Sequence, residues 1–302
     1  MVFPYILLPK VTRPLSTPVD LSIIITSWNT RDLLQGALDS MVTHPPRVPY
    51  EIIVVDNDSD DGSGDMVERA YPMVRLLRNP RNEGFARANN QGAAMAAGRA
   101  LLLLGSDVVL IDDSIQRMYD HLMAHDDIGA LGCRFLSPDR TVQQSCRRFP
   151  RLRDGILTYL SLHSLAGSYN MRGFDYYQSR DVDQLAATCL MIRKPVLAQI
   201  GLFDERYAIL YNDVDLCLRI RRAGWRICYL ADAEIIHHGS QSTSRATPAV
   251  RLEMYRNILV YYSRTFGIPA IVTLLPILGV RLAIVNRGKC VFGLFSLKHL
   301  TS

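Results

Sequence analysis

Three apolar runs within the first 110 residues carry small polar or acidic residues at or near their ends: LSIIITSWN from Leu21, YEIIVVDND from Tyr50 and LLLLGSDVVL from Leu101. Each is too short and too rich in branched residues for a buried helix, and each reads as a strand buried on both faces. Helical patterns separate them. Leu33, Leu34, Leu38 and Met41 share one face of a helix opening at Thr30-Arg31-Asp32. A second helix is expected near Asp65–Ala70, then a short strand at Val74–Arg78 and an alanine-rich helix after NPRNEGFARANN. Strands alternating with helices predict a mostly parallel α/β sheet covered on both faces. Ligands of such sheets bind at the carboxyl ends of the strands, where Trp28-Asn29, Asp56 and Asp107 fall.

Further along, LAATCLMI reads as a strand, Leu216, Ile220 and Ala223 mark a helix that Gly224 ends, and RICYLADAEIIHHGS reads as a final strand pair. With 302 residues, 48% of them hydrophobic, the chain can bury one large core with an appendage. Its net charge of +5 is unevenly placed: from Arg245 onward eight basic residues face one acid, Glu253. A basic, apolar tail on a near-neutral body suits an anionic surface, membrane or phosphate, and not nucleic acid. Within it, Gly267–Val280 is uncharged over 14 residues and interrupted by Pro269 and Pro276. That falls short of the roughly 20 residues needed to span a bilayer, so an interfacial helix hairpin is expected, with a buried helix completing the core as the alternative. Six cysteines show no CxxC pair and no metal-ligand spacing, and read as buried free thiols in a reducing compartment. Four prolines among the first 18 residues, without a basic start, argue against a signal peptide and for a cytoplasmic protein.

Four groups of residues have chemical potential. Asp56 could accept a nucleobase N–H or merely close an Asx turn. Asp107, after Gly105 and Ser106, could approach a hard cation bridging phosphates, or could be a helix cap or solvated loop acid. Asp213 and Asp215 fall in the first turn of a helix, where acids also complement the macrodipole. Being two apart they cannot share a face, so one is expected to face a cleft while the other bonds locally, with Arg219 at i+4 as its partner. His237 and His238 end a strand on opposite sides of the pleat, so only one of them can face a carboxylate-rich cleft. There is no GxGxxG after a strand, no P-loop, no GxSxG elbow and no HExxH, which excludes the common dinucleotide, ATPase, serine-hydrolase and zincin signatures.

Taken in order, SIIITSWNTRDLL, YEIIVVDNDSDDGS, RNPRNEGFARANNQG, LLLLGSDV, QQSCRRFP and the stretch from GLFDERYAILYNDVDLCLRIRRAGW to HHGSQST resemble glycosyltransferase family 2, in its bacterial rhamnosyltransferase-like branch. The likeness spans about residues 22–243. It implies a GT-A fold: a Rossmann-like, mostly parallel sheet flanked by helices, with a C-terminal helical, membrane-proximal extension. The implied organisation is an extension at 1–20, a domain at 21–245 (nucleotide half 21–136, acceptor and catalytic half 137–245) and a tail at 246–302. The resemblance implies sugar transfer from a nucleoside diphosphate to an acceptor hydroxyl with inversion. It places Ser27, Asn29, Asp56, Arg87, Asn90, Ser106 and Asp107 at the nucleotide sugar. Asp213 would be the base, and Arg147, Arg148 and Asp215 would lie at the acceptor or a phosphate. Mg or Mn would sit at Asp107 with His238, or with His237. The implied donor is dTDP-rhamnose, with UDP or GDP sugars as alternatives. The implied acceptor is a cell-surface glycan or a lipid-linked sugar at the inner face of the membrane. Two positions depart from the branch: Gly105-Ser106-Asp107 replaces Asn-Pro-Asp, and Asn212-Asp213 replaces Glu-Asp. Rival readings are a sugar-1-phosphate nucleotidyltransferase, which would place a Gly/Arg-rich loop with a lysine after the first strand, and a non-catalytic binding protein on the same fold.

Overall fold

The structure, a computed structural model, describes residues 18–160, 162, 169, 171, 173–207, 210–239 and 248–285. The first four strands are β1 (Leu21–Ser27), β2 (Tyr50–Asp56), β3 (Arg75–Arg78) and β4 (Ala100–Gly105), all parallel in the order β3-β2-β1-β4. Helices α1 (Arg31–Thr43), α2 (Ser63–Ala70) and α3 (Phe85–Met95) connect them. Ile23, Ile25 and Val54 bury one face of this sheet, while Ile24, Ile53 and Val55 bury the other, so the unbroken apolar runs are explained.

LLLLGSDVVL forms two strands where a single one was expected. β4 ends at Gly105, Ser106 and Asp107 make a turn, and β5 (Val108–Leu110) pairs with another part of the sheet. The reason lies far away in sequence: the Gly105 N–H donates to the Thr188 carbonyl at 2.8 Å, while Val108 is drawn into register with His237.

The second half adds α4 (Ser114–Ala124), β6 (Ile128–Leu136), β7 (Val142–Gln143), β8 (Cys146–Arg147), α5 (Leu152–Tyr159), β9 (Arg180–Asp181), β10 (Gln184–Leu185), β11 (Cys189–Arg193), α6 (Lys194–Ile200), α7 (Asn212–Arg222) and β12 (Arg226–His237). The main sheet continues β4-β11-β6-β12-β5, with β11 antiparallel to both neighbours and β12 parallel to β6. The expected final strand pair is one strand, β12, whose register with β6 shifts between Leu230 and Glu234. β8 and β10 form a separate two-stranded ribbon.

Two tail helices follow, α8 (Pro248–Phe266) and α9 (Ile268–Val285), hinged at Gly267 with φ +72°. The tail packs one face of α9 into the core, as the alternative expectation has it, and leaves the other face exposed. Ala270, Leu274, Leu278 and Leu282, spaced at i+4, are buried against Tyr261 and Tyr262 of α8 and against Tyr207 and Val214. Ile268, Val272 and Val280 project from the other side with 74%, 67% and 63% of their surface exposed. No helix among the described residues is long and apolar enough to cross a membrane. Five of the six cysteines are described, and all five are buried free thiols; Cys290 lies outside the described residues.

Candidate active site

At the carboxyl end of the parallel strands, two loops are knitted together. Asn29, held at φ +53°, donates its N–H to Ser59 Oγ at 3.0 Å and accepts the Asp60 N–H on Oδ1 at 2.9 Å. A chain of hydroxyls runs from Ser27 Oγ to Thr30 Oγ1 (2.9 Å) and on to Ser106 Oγ (3.0 Å), joining the end of β1 to the turn that carries Asp107. Asp56 is buried, accepts the Ser59 N–H and lies against Gly64, where a β-carbon would come within 2.5 Å of its Oδ2. Gly105 makes the same kind of room: a β-carbon there would meet Asp107 Oδ1 at 2.7 Å. Two of the expected binding carboxylates therefore depend on a missing side chain next to them. Trp28, half exposed, stands at the mouth beside Ser27.

Behind Asp56 lies an amide network that sequence reading did not single out. Asn57 Oδ1 accepts from Asn79 Nδ2 (3.0 Å) and the Glu83 N–H (2.9 Å), and Asn57 Nδ2 donates to Asn82 Oδ1 (2.8 Å). The network fixes the loop leading to Arg87, whose half-exposed guanidinium sits 3.4 Å from Glu83. Asn90, expected at the nucleotide sugar, joins two elements of the fold. Its amide donates to the Phe203 carbonyl and accepts the Phe203 N–H, clamping α3 to the loop after α6. Asp215 likewise bonds locally: Arg219 Nε donates to it at 2.7 Å, and the same guanidinium donates to the Ile200 and Leu202 carbonyls.

Of the two histidines, the ring of His237 faces Asp107, with Nε2 3.3 Å from Oδ2. His238 presents only its backbone N–H, which donates to the Asp107 carbonyl, and its side chain is exposed. The assignment of His238 beside Asp107 is therefore corrected to His237, because β5 pairs with β12 in a register that turns residue 237 inward. Gln143 fixes the ring. Its Nε2 donates to the His237 carbonyl (2.8 Å) and Ser137 Oγ (3.0 Å), so the Oε1 facing His237 Nδ1 at 2.7 Å accepts a proton held there. Nε2 then points a proton or a lone pair at the carboxylate. Asp107 and His237 Nε2 would both be ligands of a divalent cation bound here, and a carboxylate plus an oriented imidazole suits Mn, or Mg with more water. No cluster of three or more acidic, histidine or cysteine ligands occurs among the described residues, so the remaining donors of such an ion would come from phosphate oxygens and water.

Asp213 opens α7 after Tyr211, a bulky residue held at φ +67°. That strain, of about 1–3 kcal/mol, persists because the Tyr211 ring packs 4.9 Å from Tyr261 and 6.1 Å from Tyr262 of α8. The tail thus shapes the entry to α7. Burial pushes the Asp213 carboxyl above the ordinary range, although the residue keeps some accessible surface. The Arg147 charge, the Val214 N–H and the Gln184 side chain pull in the opposite direction. Gln184 and Arg147 are direct partners across the β8–β10 ribbon. Gln184 was missed by sequence reading. Its Oε1 is the one buried side-chain nitrogen or oxygen among the described residues without a hydrogen-bond partner.

Two short straps join the Asp107 and Asp213 regions. One runs from Gln184, bonded to Asp213, to Thr188, whose carbonyl accepts the Gly105 N–H. The other runs from Gln143 at His237 to Arg147 near Asp213. Four residues reach at most about 14 Å, so each strap holds the two acids' surroundings within one cleft's width.

This is the layout of a nucleotide-binding α/β enzyme with separate acidic groups at the strand ends and at a helix start. Residues 22–197 match the model of the family described as glycosyl transferase family 2. The chain belongs to that family and is a glycosyltransferase. Over 245 residues it is 31% identical to an N-acetylglucosaminyl-diphospho-decaprenol L-rhamnosyltransferase of Mycobacterium tuberculosis, covering 74% of this chain and 78% of the relative. A rhamnosyltransferase of Escherichia coli K12 is 24% identical over 225 residues, covering 72% of this chain and 82% of that one. Among solved structures, a mannosyltransferase of Pyrobaculum calidifontis in complex with GDP-Man and Mn2+ superposes with a TM-score of 0.56 at 16% identity, covering 92% of this chain and 77% of the other. That likeness shows the GT-A fold.

Proposed function

We propose that the protein transfers a sugar, rhamnose by preference, from a nucleoside diphosphate to a hydroxyl of a lipid-linked or cell-surface glycan, with inversion. The observation that carries this reading is the pair of straps, which tie the surroundings of the enclosed Asp213 to those of the Asp107–His237 pair, the two lying on different elements. Inversion requires that separation, because the acceptor must attack from the side opposite the leaving diphosphate. Asp213 takes the proton of the attacking hydroxyl. Enclosure lifts its basicity, while Arg147 and Gln184 keep it ionised. Asp56 receives the base, Trp28 offers it a flat face, and the Ser27, Asn29 and Ser106 loops line the nucleotide. Asp107 and His237 would hold Mg or Mn, which supplies Lewis-acid neutralisation of the departing diphosphate. The rhamnosyltransferase relatives support the sugar, and a printed diphospho-decaprenol substrate in one of them supports a lipid-linked acceptor. The exposed apolar stripe of α9 supports peripheral attachment at the inner face of the membrane.

The test is a melting-temperature screen of dTDP, UDP and GDP with Mn. A nucleotide at a hundredfold excess over its Kd stabilises by about 2.7 kcal/mol, and dTDP is expected to give the largest shift. A chain that none of the three stabilises is not a nucleotide-sugar enzyme of this kind.

A further inference from the structure

A cavity of about 250 Å³ lies between the segment following β8, α7 and the end of α8. Its walls divide by chemistry. Arg148, Arg151 and Tyr169 line it from the loop segments, and Leu218, Tyr261 and Phe266 line it from α7 and α8. Neither Arg148 nor Arg151 has an acidic ion-pair partner among the described residues, and both are exposed. Two acids also line the cavity, and both have partners: Asp154 accepts the Arg151 N–H at 2.9 Å and lies 3.7 Å from the Arg153 guanidinium, and Asp183 accepts the Phe149 N–H at 3.3 Å. They hold the arginine segment in shape. Burial keeps the Tyr169 phenol protonated, with its pKa pushed up to about 12, so it can donate. Arg222, one turn beyond Leu218 on the same face of α7, adds its charge at Tyr261.

The cavity adjoins the site already described without being part of its nucleotide side. Tyr169 lies within electrostatic reach of both Arg147 and Asp213. Phe266, another lining residue, closes α8, and two residues later the exposed stripe of Ile268 and Val272 begins. Cations and a phenol next to the base, followed by aromatic and aliphatic walls that lead to an uncovered apolar helix face, match a molecule with a diphosphate head and a hydrocarbon chain.

We propose that this cavity holds the diphosphate and first isoprene units of a polyprenyl-diphosphate-linked acceptor, placing its sugar at Asp213 and its chain along α9. This rests on the glycosyltransferase reading above and adds the place where the acceptor's anionic lipid end is held. The guanidiniums would give charge-assisted bonds to the phosphates, and Phe266 and Leu218 would cover the first methyl-branched unit.

Farnesyl diphosphate, titrated calorimetrically into the full chain in EDTA, tests the site without any knowledge of the sugar. The wild type is expected to bind it more tightly than inorganic pyrophosphate. The Arg148→Ala/Arg151→Ala variant should bind it about a hundredfold more weakly, about tenfold per guanidinium. Phe266→Ala should weaken farnesyl diphosphate but not pyrophosphate, while Asp107→Asn should bind as the wild type does. Undiminished binding by the double arginine variant would overturn the proposal. So would loss of binding in Asp107→Asn, which would put the probe in the nucleotide cleft, or equal affinity for farnesyl diphosphate and pyrophosphate. The nucleotide melting screen, run on the same variants, reports folding and tests the wider reading separately. Nucleotide stabilisation without farnesyl diphosphate binding removes the cavity assignment alone, and absence of both removes the proposed donor and mechanism as well.

Discussion

His237 Nε2 stands 3.3 Å from Asp107 Oδ2, and Gln143 holds the far side of the ring at 2.7 Å. Residues 143 and 237 are far apart in the chain, and they meet because β7 folds back on β6 next to β12. The same arrangement leaves His238 facing outward. Gln143→Leu is therefore expected to weaken Mn dependence of transfer by about 10–100-fold in apparent affinity, with an intact fold. His238→Ala should leave the Mn titration unchanged. Equal effects of the two variants in that titration would remove His237 from the metal.

Gly105→Ala tests the neighbour of the same carboxylate. The added β-carbon would meet Asp107 Oδ1 at 2.7 Å, so the carboxylate must swing aside. Metal-dependent transfer should fall steeply while the melting temperature changes little, since the residue lies at the rim of the sheet. Unchanged activity with normal Mn dependence would show that Asp107 does not need its present position.

Asp213→Asn separates chemistry from binding. Loss of the base should lower kcat by about 10²–10⁴-fold, with the nucleotide-induced melting shift retained. The stability effect has a defined sign. Burial raises the folded-state pKa of Asp213 above its unfolded value, so keeping the group ionised costs folding free energy at neutral pH, and that cost disappears as pH falls through the raised pKa. The asparagine variant should therefore melt higher than the wild type at pH 7, and the difference should vanish in acid. A variant that melts lower at pH 7 would contradict the enclosure of this carboxylate.

Gln184→Leu removes a donor to Asp213 together with the buried orphan oxygen. Without the donor the ionised carboxyl is less favoured, so its pKa rises and the acidic limb of the kcat/KM profile should move to higher pH. Activity should recover towards alkaline pH, which a general packing defect would not produce. A profile lowered uniformly at every pH would count against this role.

On α9, Ile268→Glu, Val272→Glu and Val280→Glu alter only exposed positions, leaving the buried Leu274, Leu278 and Leu282 in place. Each should weaken association with anionic vesicles by about tenfold, as expected for withholding one aliphatic side chain from lipid. Melting behaviour should stay that of the wild type. Vesicle binding that survives all three changes would remove this face as the membrane contact.

The sequence by itself determined the sheet, because apolar runs buried on both faces admit little else and their ends must be polar. Its ordered motifs also determined the family and pointed to Asp56, Asp107 and Asp213 as a set. The Asp215–Arg219 pair was legible too, since i and i+4 on one helix must meet. Only the tertiary structure decided which histidine turns to Asp107, that LLLLGSDVVL breaks into two strands, and that Asn90 clamps Phe203. It also brought Gln184 and Arg147 to Asp213, and set the tail's tyrosines beneath Tyr211. These features depend on partners tens to more than a hundred residues away. Periodicity and local turn chemistry report what a segment buries, but the register of strands that meet only after the chain has closed fixes what each buried side chain faces.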